Sequence, residues 1–151
     1  MKNLFNTSVA EIEIQYRNTV RPADMRKVMH SSDAFEILKD IWTDRIEYIE
    51  EFFILLLNKA NKVLGYCKIS QGGISGCVVD PKCIFQTALK CNASQIILAH
   101  NHPSGNTAPS DADKKITEKV KQGGSILEIV VLDHLIITPD SYYSFADDGG
   151  L

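Results

Sequence analysis

A chain of 151 residues, 44% hydrophobic and 23% charged, fits one globular domain with a single core. Its net charge of −3 speaks against a module held on nucleic acid mainly by its own field, because such modules are usually basic. No apolar run reaches the ~18 residues of a membrane span, and Met1-Lys2-Asn3-Leu4-Phe5 lacks the apolar stretch of a signal peptide, so a cytoplasmic protein is expected.

Residues 9–16 alternate. Ile12, Ile14 and Tyr16 share one face and Glu11, Glu13 and Gln15 the other, which predicts a half-buried strand within an N-terminal extension over residues 1–30. Arg21-Pro22 ends it. Ser31-Ser32 are expected to cap a helix running to about Glu47, with Phe35, Leu38, Trp42, Ile46 and Ile49 as its buried stripe. Phe52 to Leu57 is continuously apolar and reads as a strand buried on both faces. Asn58 to Asn61 turn the chain, and Lys62 to Ser70 return as the second strand of a hairpin. Gln71 to Gly76 is glycine-rich loop.

Asp80-Pro81 opens another helix, Asp as N-cap and Pro at the first helical position, with Ile84, Phe85, Ala88 and Leu89 facing inward. Ser94 to Ala99 is a short buried strand, and His100 to Pro109, with its prolines, glycine and asparagines, reads as loop. A third helix is expected from about Asp111 to Gln122, stopped by Gly123-Gly124. Ile126 to Thr138 predicts one or two strands, and Pro139-Asp140-Ser141 leads into Tyr142 to Phe145. Helices and strands interleave with hairpins, so the class is α/β (α+β), a mixed β-sheet flanked by helices. Cys67, Cys77, Cys83 and Cys91 form no Cys-x-x-Cys pair and read as free, mostly buried thiols. The Gly72-Gly73 and Gly123-Gly124 pairs lack phosphate-loop context and read as turns.

The chemistry concentrates in residues 99–113. His100 and His102 are two apart at the mouth of a buried strand, where the period-2 rule points both imidazoles the same way. A carboxylate, Asp113, follows at the next helix start. Two His and one carboxylate are a ligand set that leaves a zinc ion a fourth position open for water, the arrangement of catalytic rather than structural zinc. Such a site also needs a general base. Ser110-x-x-Asp113 equally has the form of a capping box, with Asp113 favoured by the helix dipole alone. His134, after Asp133 and between two apolar stretches, has two readings, a residue that supports a metal ligand from behind or a satisfied structural histidine; the second is the commoner, and His134 is left out of the site, as is His30.

His-x-His, seven residues, Ser, two residues and Asp resembles the signature of the JAB/MPN metalloenzyme superfamily. His-Asn-His-Pro-Ser-Gly followed by Pro-Ser-x-x-Asp resembles its RadC family. The similarity runs from about Phe35 to the C-terminus, through Asp80-Pro81, Asn92-Ala93, Leu132-Asp133-His134 and Ser144-Phe145-Ala146. The resemblance implies a JAB/MPN-like, cytidine-deaminase-like architecture over residues 31–151. It implies one zinc per chain on His100, His102 and Asp113, and Ser110 as the hydroxyl that helps stabilise the oxyanion. It also implies a glutamate base at the start of an early buried strand. Glu50 and Glu51 both stand there; the RadC-like Glu-x-Phe spacing points to Glu50, and counting back from Asn58 points to Glu51. Neighbours on a strand face opposite ways, so at most one reaches the metal.

The function implied is zinc-dependent hydrolysis of a peptide or isopeptide bond; the alternative is a non-catalytic accessory role in DNA repair or recombination. Full-length relatives are expected to carry a helix-hairpin-helix segment for which residues 1–30 are too short, so nucleic-acid binding is expected to be weak or indirect. No feature reports the oligomeric state.

Overall fold

Glu51–Leu57 (β1) is buried at every position, as its apolar run requires. It is an interior strand of the sheet, with a partner on each edge. Val63–Gln71 (β2) pairs antiparallel on one side and Gln95–Asn101 (β3) antiparallel on the other. Val130–Ile137 (β4) joins β3 in parallel, and Tyr142–Ser144 (β5) closes the far edge antiparallel. The order is β2-β1-β3-β4-β5, a mixed five-stranded sheet. The computed structural model describes residues 8–72 and 76–151.

Each sheet face has its own core. Leu55, Leu57, Ile97, Ala99, Leu135 and Ile137 pack on Ser31–Ile41 (α1) through Ala34, Phe35, Ile37 and Leu38. Phe52, Ile54, Leu56, Ile96 and Leu98 pack on the opposite side against Pro81–Lys90 (α2) through Ile84, Phe85 and Ala88. Val120, from Asp111–Leu127 (α3), joins that second core. The expected mixed sheet flanked by helices is therefore present.

Several boundaries differ from expectation. Residues 9–16 form no strand; Ile12 and Ile14 are more than four-fifths exposed. Alternation makes two faces, but a strand also needs a ladder partner. The first helix ends at Ile41, not near Glu47, and its N-cap is His30, one residue ahead of the serines. The Asp33 carboxylate accepts the N–H groups of Met29 and His30 there. Beyond Ile41 the chain is recruited elsewhere, because the carbonyls of Ile46 and Ile49 accept from the side-chain amide of Asn101. Leu89 is half-exposed rather than inward. The third strand runs on through His100 and Asn101, where the sequence predicts loop.

Helix α3 does not stop at Gly123-Gly124 but continues to Leu127, and Glu128 takes the left-handed cap at φ 57°. The glycines serve packing instead. A Cβ on Gly124 would stand 2.3 Å from the Ile129 carbonyl oxygen, and one on Gly123 would stand 2.8 Å from the Phe85 ring. Of the cysteines only Cys91 is buried; Cys67 and Cys77 are half-buried and Cys83 is exposed. The expected loop over Gln71 to Gly76 falls partly outside the described residues, and Gln71 itself ends β2. Among the described residues no helix is long and apolar enough to cross a membrane.

Candidate metal centre

His100 stands on β3 in the same phase as Ile96 and Leu98, so its ring enters the core beneath α2 and α3 and is 1% exposed. Phe52 is its partner on β1, and the two rings stack at 5.9 Å. The backbone keeps its direction past the strand end, because the His102 N–H still donates to the Ile137 carbonyl at 3.1 Å. Both imidazoles therefore emerge on one side, with their Nε2 atoms 3.0 Å apart. His102 Nδ1 lies 2.7 Å from the Asn106 carbonyl oxygen. A carbonyl can only accept, so Nδ1 carries the hydrogen, and in the neutral ring Nε2 is the bare nitrogen.

Asp113 reaches the same point from the opposite side. It is the third residue of α3, and its Oδ1 and Oδ2 lie 3.1 Å from His100 Nε2 and 3.3 Å from His102 Nε2. The Ser110 Oγ accepts the Asp113 N–H at 3.1 Å, and Asp113 Oδ2 accepts the Ser110 N–H at 2.8 Å. The capping box is present and holds the Asp113 carboxylate beside the histidines. Ligand atoms of His100, His102 and Asp113 all lie within 4.8 Å of one another.

The donor chemistry of this trio calls for a cation. Two imidazole lone pairs and a carboxylate repel at such distances unless a proton or a metal ion stands among them. Burial pushes the Asp113 carboxyl up, but hydrogen bonding to His100 and His102 outweighs it and holds the group well below the ordinary carboxylate range. The same contact to Asp113 raises His102 against the opposing effect of burial. The trio fits a zinc ion: nitrogen and oxygen donors, three in number.

The two glutamates separate cleanly. Glu50 lines a cavity of about 130 Å³ together with Phe52, His100 and Asp113. Burial raises its carboxyl above the ordinary value, opposed by His100 and His102 and reinforced by Asp113. Glu51 points to the other face and is fully buried. Its Oε1 accepts from Lys68 at 2.7 Å and Arg45 at 2.9 Å, and its Oε2 from the Thr43 hydroxyl at 2.6 Å. Ser110 is exposed at the helix cap and does not line that cavity.

Three residues set aside or passed over in the sequence touch this site. Asn101, between the two histidines, accepts the Glu51 N–H and donates to the Ile49 carbonyl, so its side chain grips the backbone on both sides of Glu50. Cys77 lines the cavity, its sulfur 2.9 Å from the Ser70 hydroxyl. His134, fully buried, meets His100 Nδ1 at 2.8 Å. Its signals in the sequence were its place between two apolar runs and the Leu132-Asp133-His134 segment of the resemblance.

Comparison with known proteins agrees with this geometry. The model of the RadC-like JAB domain family matches residues 28–151. A UPF0758 protein of Flavobacterium johnsoniae is 44% identical over 142 residues, covering 93% of this chain and 61% of that protein. A UPF0758 protein of Chlorobium chlorochromatii is 40% identical over 141 residues, covering 93% and 63%. One of Histophilus somni is 46% identical over 100 residues, covering 66% and 45%. A mixed sheet with a His-His-Asp group gathered where its third strand ends and α3 begins is consistent with a JAB-type α+β domain. The chain belongs to the RadC-like JAB domain family. It spans about three-fifths of the length of the first two of these relatives.

Proposed function

We propose that the protein is a zinc-dependent hydrolase acting on a peptide or isopeptide amide, with one zinc per chain on His100, His102 and Asp113. The observation that carries the reading is a single cavity lined by His100 and Asp113 of the converging trio and by the half-buried carboxylate of Glu50. A zinc ion in such a site supplies Lewis acidity and brings the pKa of water down to about 7.

The chain's own groups supply the rest. Glu50 accepts the proton of the attacking water and returns it to the leaving amine, and a carboxyl raised by burial is better matched to that exchange near neutral pH. The Ser110 oxygen already accepts the Asp113 N–H, so its own proton is free to donate to the developing oxyanion. His100 and His102 each present Nε2 inward, and the Asp113–Ser110 capping box keeps the third ligand from turning away. This work needs a peptide-bearing partner, and no nucleic acid enters it.

An unbiased library of peptides and isopeptide-linked pairs, incubated with the zinc-loaded protein, tests the reading. Cleavage that disappears with Glu50→Gln supports it. No cleavage of any library member, or cleavage equal in the variant, refutes it.

A further inference from the structure

From the contacts behind His100 we infer that His134 and Thr117 set the tautomer of His100, leaving its Nε2 bare and facing the metal site. This rests on His100 being a ligand, as proposed above. His134 is a positioning residue: it touches His100 and no part of the cavity.

Three hydrogen bonds in series carry the inference. The Thr117 hydroxyl lies 2.6 Å from the backbone carbonyl of Asp113, to which it donates. A hydroxyl has one hydrogen, and a carbonyl can only accept, so that hydrogen is committed. The second contact of Thr117 Oγ1, 2.6 Å to His134 Nδ1, must then be accepted, which puts a hydrogen on His134 Nδ1. His134 is 0% exposed, and its ring lies stacked on Phe145 at 4.9 Å and edge-on to Phe52 at 5.6 Å. Among the described residues its ring nitrogens meet only Thr117 and His100, with no carboxylate against them. A charged ring unpaired in such a place is costly, so His134 is neutral and its Nε2 is an acceptor. His100 Nδ1, 2.8 Å away, must therefore donate. With its hydrogen on Nδ1, neutral His100 has its lone pair on Nε2, 3.1 Å from Asp113 Oδ1.

The series starts and ends on the same residue. Thr117 reads the backbone of Asp113, and the side chain of Asp113 is the third ligand. The position of α3 against the sheet thus sets both the carboxylate and the protonation of the imidazole beside it. Hydrogen bonds to the far nitrogen of a ligating His generally orient the ring and fix its tautomer, and their loss typically costs ~10–100-fold in metal affinity.

The test separates hydroxyl from shape. Thr117→Val keeps the branched side chain and removes the hydroxyl; Thr117→Ser keeps the hydroxyl and removes a methyl. Zinc affinity by chelator competition is expected to fall ~10–100-fold in Thr117→Val and to stay within a few-fold of the native protein in Thr117→Ser. Equal affinity in all three, or an equal loss in both variants, overturns the inference. A measurement on the unmutated, metal-free protein needs no variant to fold. Imidazole 15N shifts are expected to show His134 protonated on Nδ1 and bare on Nε2, and the reverse tautomer would overturn the inference too. Absence of zinc binding by the native protein would refute the metal-site reading instead, while the 15N result would still decide the tautomer.

Discussion

Glu50→Gln and Glu51→Gln are neighbouring, isosteric and chemically identical changes, yet the structure demands opposite outcomes. Glu50 shares a cavity with His100 and Asp113, and burial holds its carboxyl above its ordinary value. Its charge is therefore held in the fold at a cost that a neutral amide does not carry, so the metal-free Tm is expected to stay level or rise. Turnover is expected to fall by ~10²–10⁴-fold, the usual worth of a general base. Glu51 is fully buried and accepts from Lys68, Arg45 and Thr43. Each hydrogen bond to a charged group is worth about 1.5–3 kcal/mol. The side chains of Arg45 and Lys68 are 39% and 32% exposed and also contact Gln71 Oε1, so both cations rehydrate in part when the carboxylate goes. The net cost of Glu51→Gln is accordingly about 1–3 kcal/mol, a fall in Tm of roughly 2–12 °C for a domain of this size.

Burial pushes the Glu51 carboxyl up, but its bonds to Lys68 and Thr43 outweigh that and hold it below its ordinary value. A depressed folded-state pKa contributes stability above the ordinary glutamate value, and that contribution is lost as pH falls through the depressed one. The native protein should therefore lose stability in acid below the ordinary glutamate range, and Glu51→Gln should lose less over that interval. Thermal melts from pH 3 to pH 7, with turnover per folded, zinc-loaded molecule on one substrate, read both axes (roughly the window in which carboxyls titrate). A Glu51→Gln protein that is stable and inactive, beside an active Glu50→Gln, would refute the assignment of faces.

Elemental analysis of protein purified without chelator is expected to give one zinc per chain, and His102→Ala to abolish tight binding, since two remaining ligands rarely hold zinc against competitors; sub-stoichiometric zinc that added metal cannot restore would refute this. Gly124→Ala, which on helix propensity alone would stabilise by about 1 kcal/mol, is expected to destabilise, because its Cβ would meet the Ile129 carbonyl oxygen at 2.3 Å and backbone cannot yield as a side chain does. A net loss of about 1–2 kcal/mol is the expected outcome, and denaturant melts showing a gain would refute the packing account. This chain, at net −3, is expected to bind duplex DNA only weakly near physiological salt; tight binding with a steep salt slope would overturn that.

What was legible in the sequence was local. Asp80 and Pro81 cap α2 from their own side-chain and ring chemistry, and the apolar run of β1 is buried because nothing else can take it out of water. The convergence of His100, His102 and Asp113 was legible for the same reason: a two-residue step in extended backbone points His100 and His102 one way, and a helix start places Asp113 by its own cap. Which of Glu50 and Glu51 faces that group was not local. It depends on the register of β1 against β3, which pairs Phe52 with His100 and so turns Glu50 toward the His-His-Asp group. His134 lies 34 residues from His100, and only the parallel pairing of β3 with β4, which sets His134 beside Leu98, brings its ring to His100. The same held for Gly123-Gly124, where a stop signal in isolation became a close approach to Phe85 and Ile129. Residues 9–16 show the converse, an amphipathic pattern whose strand never forms, because hydrogen-bond partners and long-range register are properties of the assembled sheet.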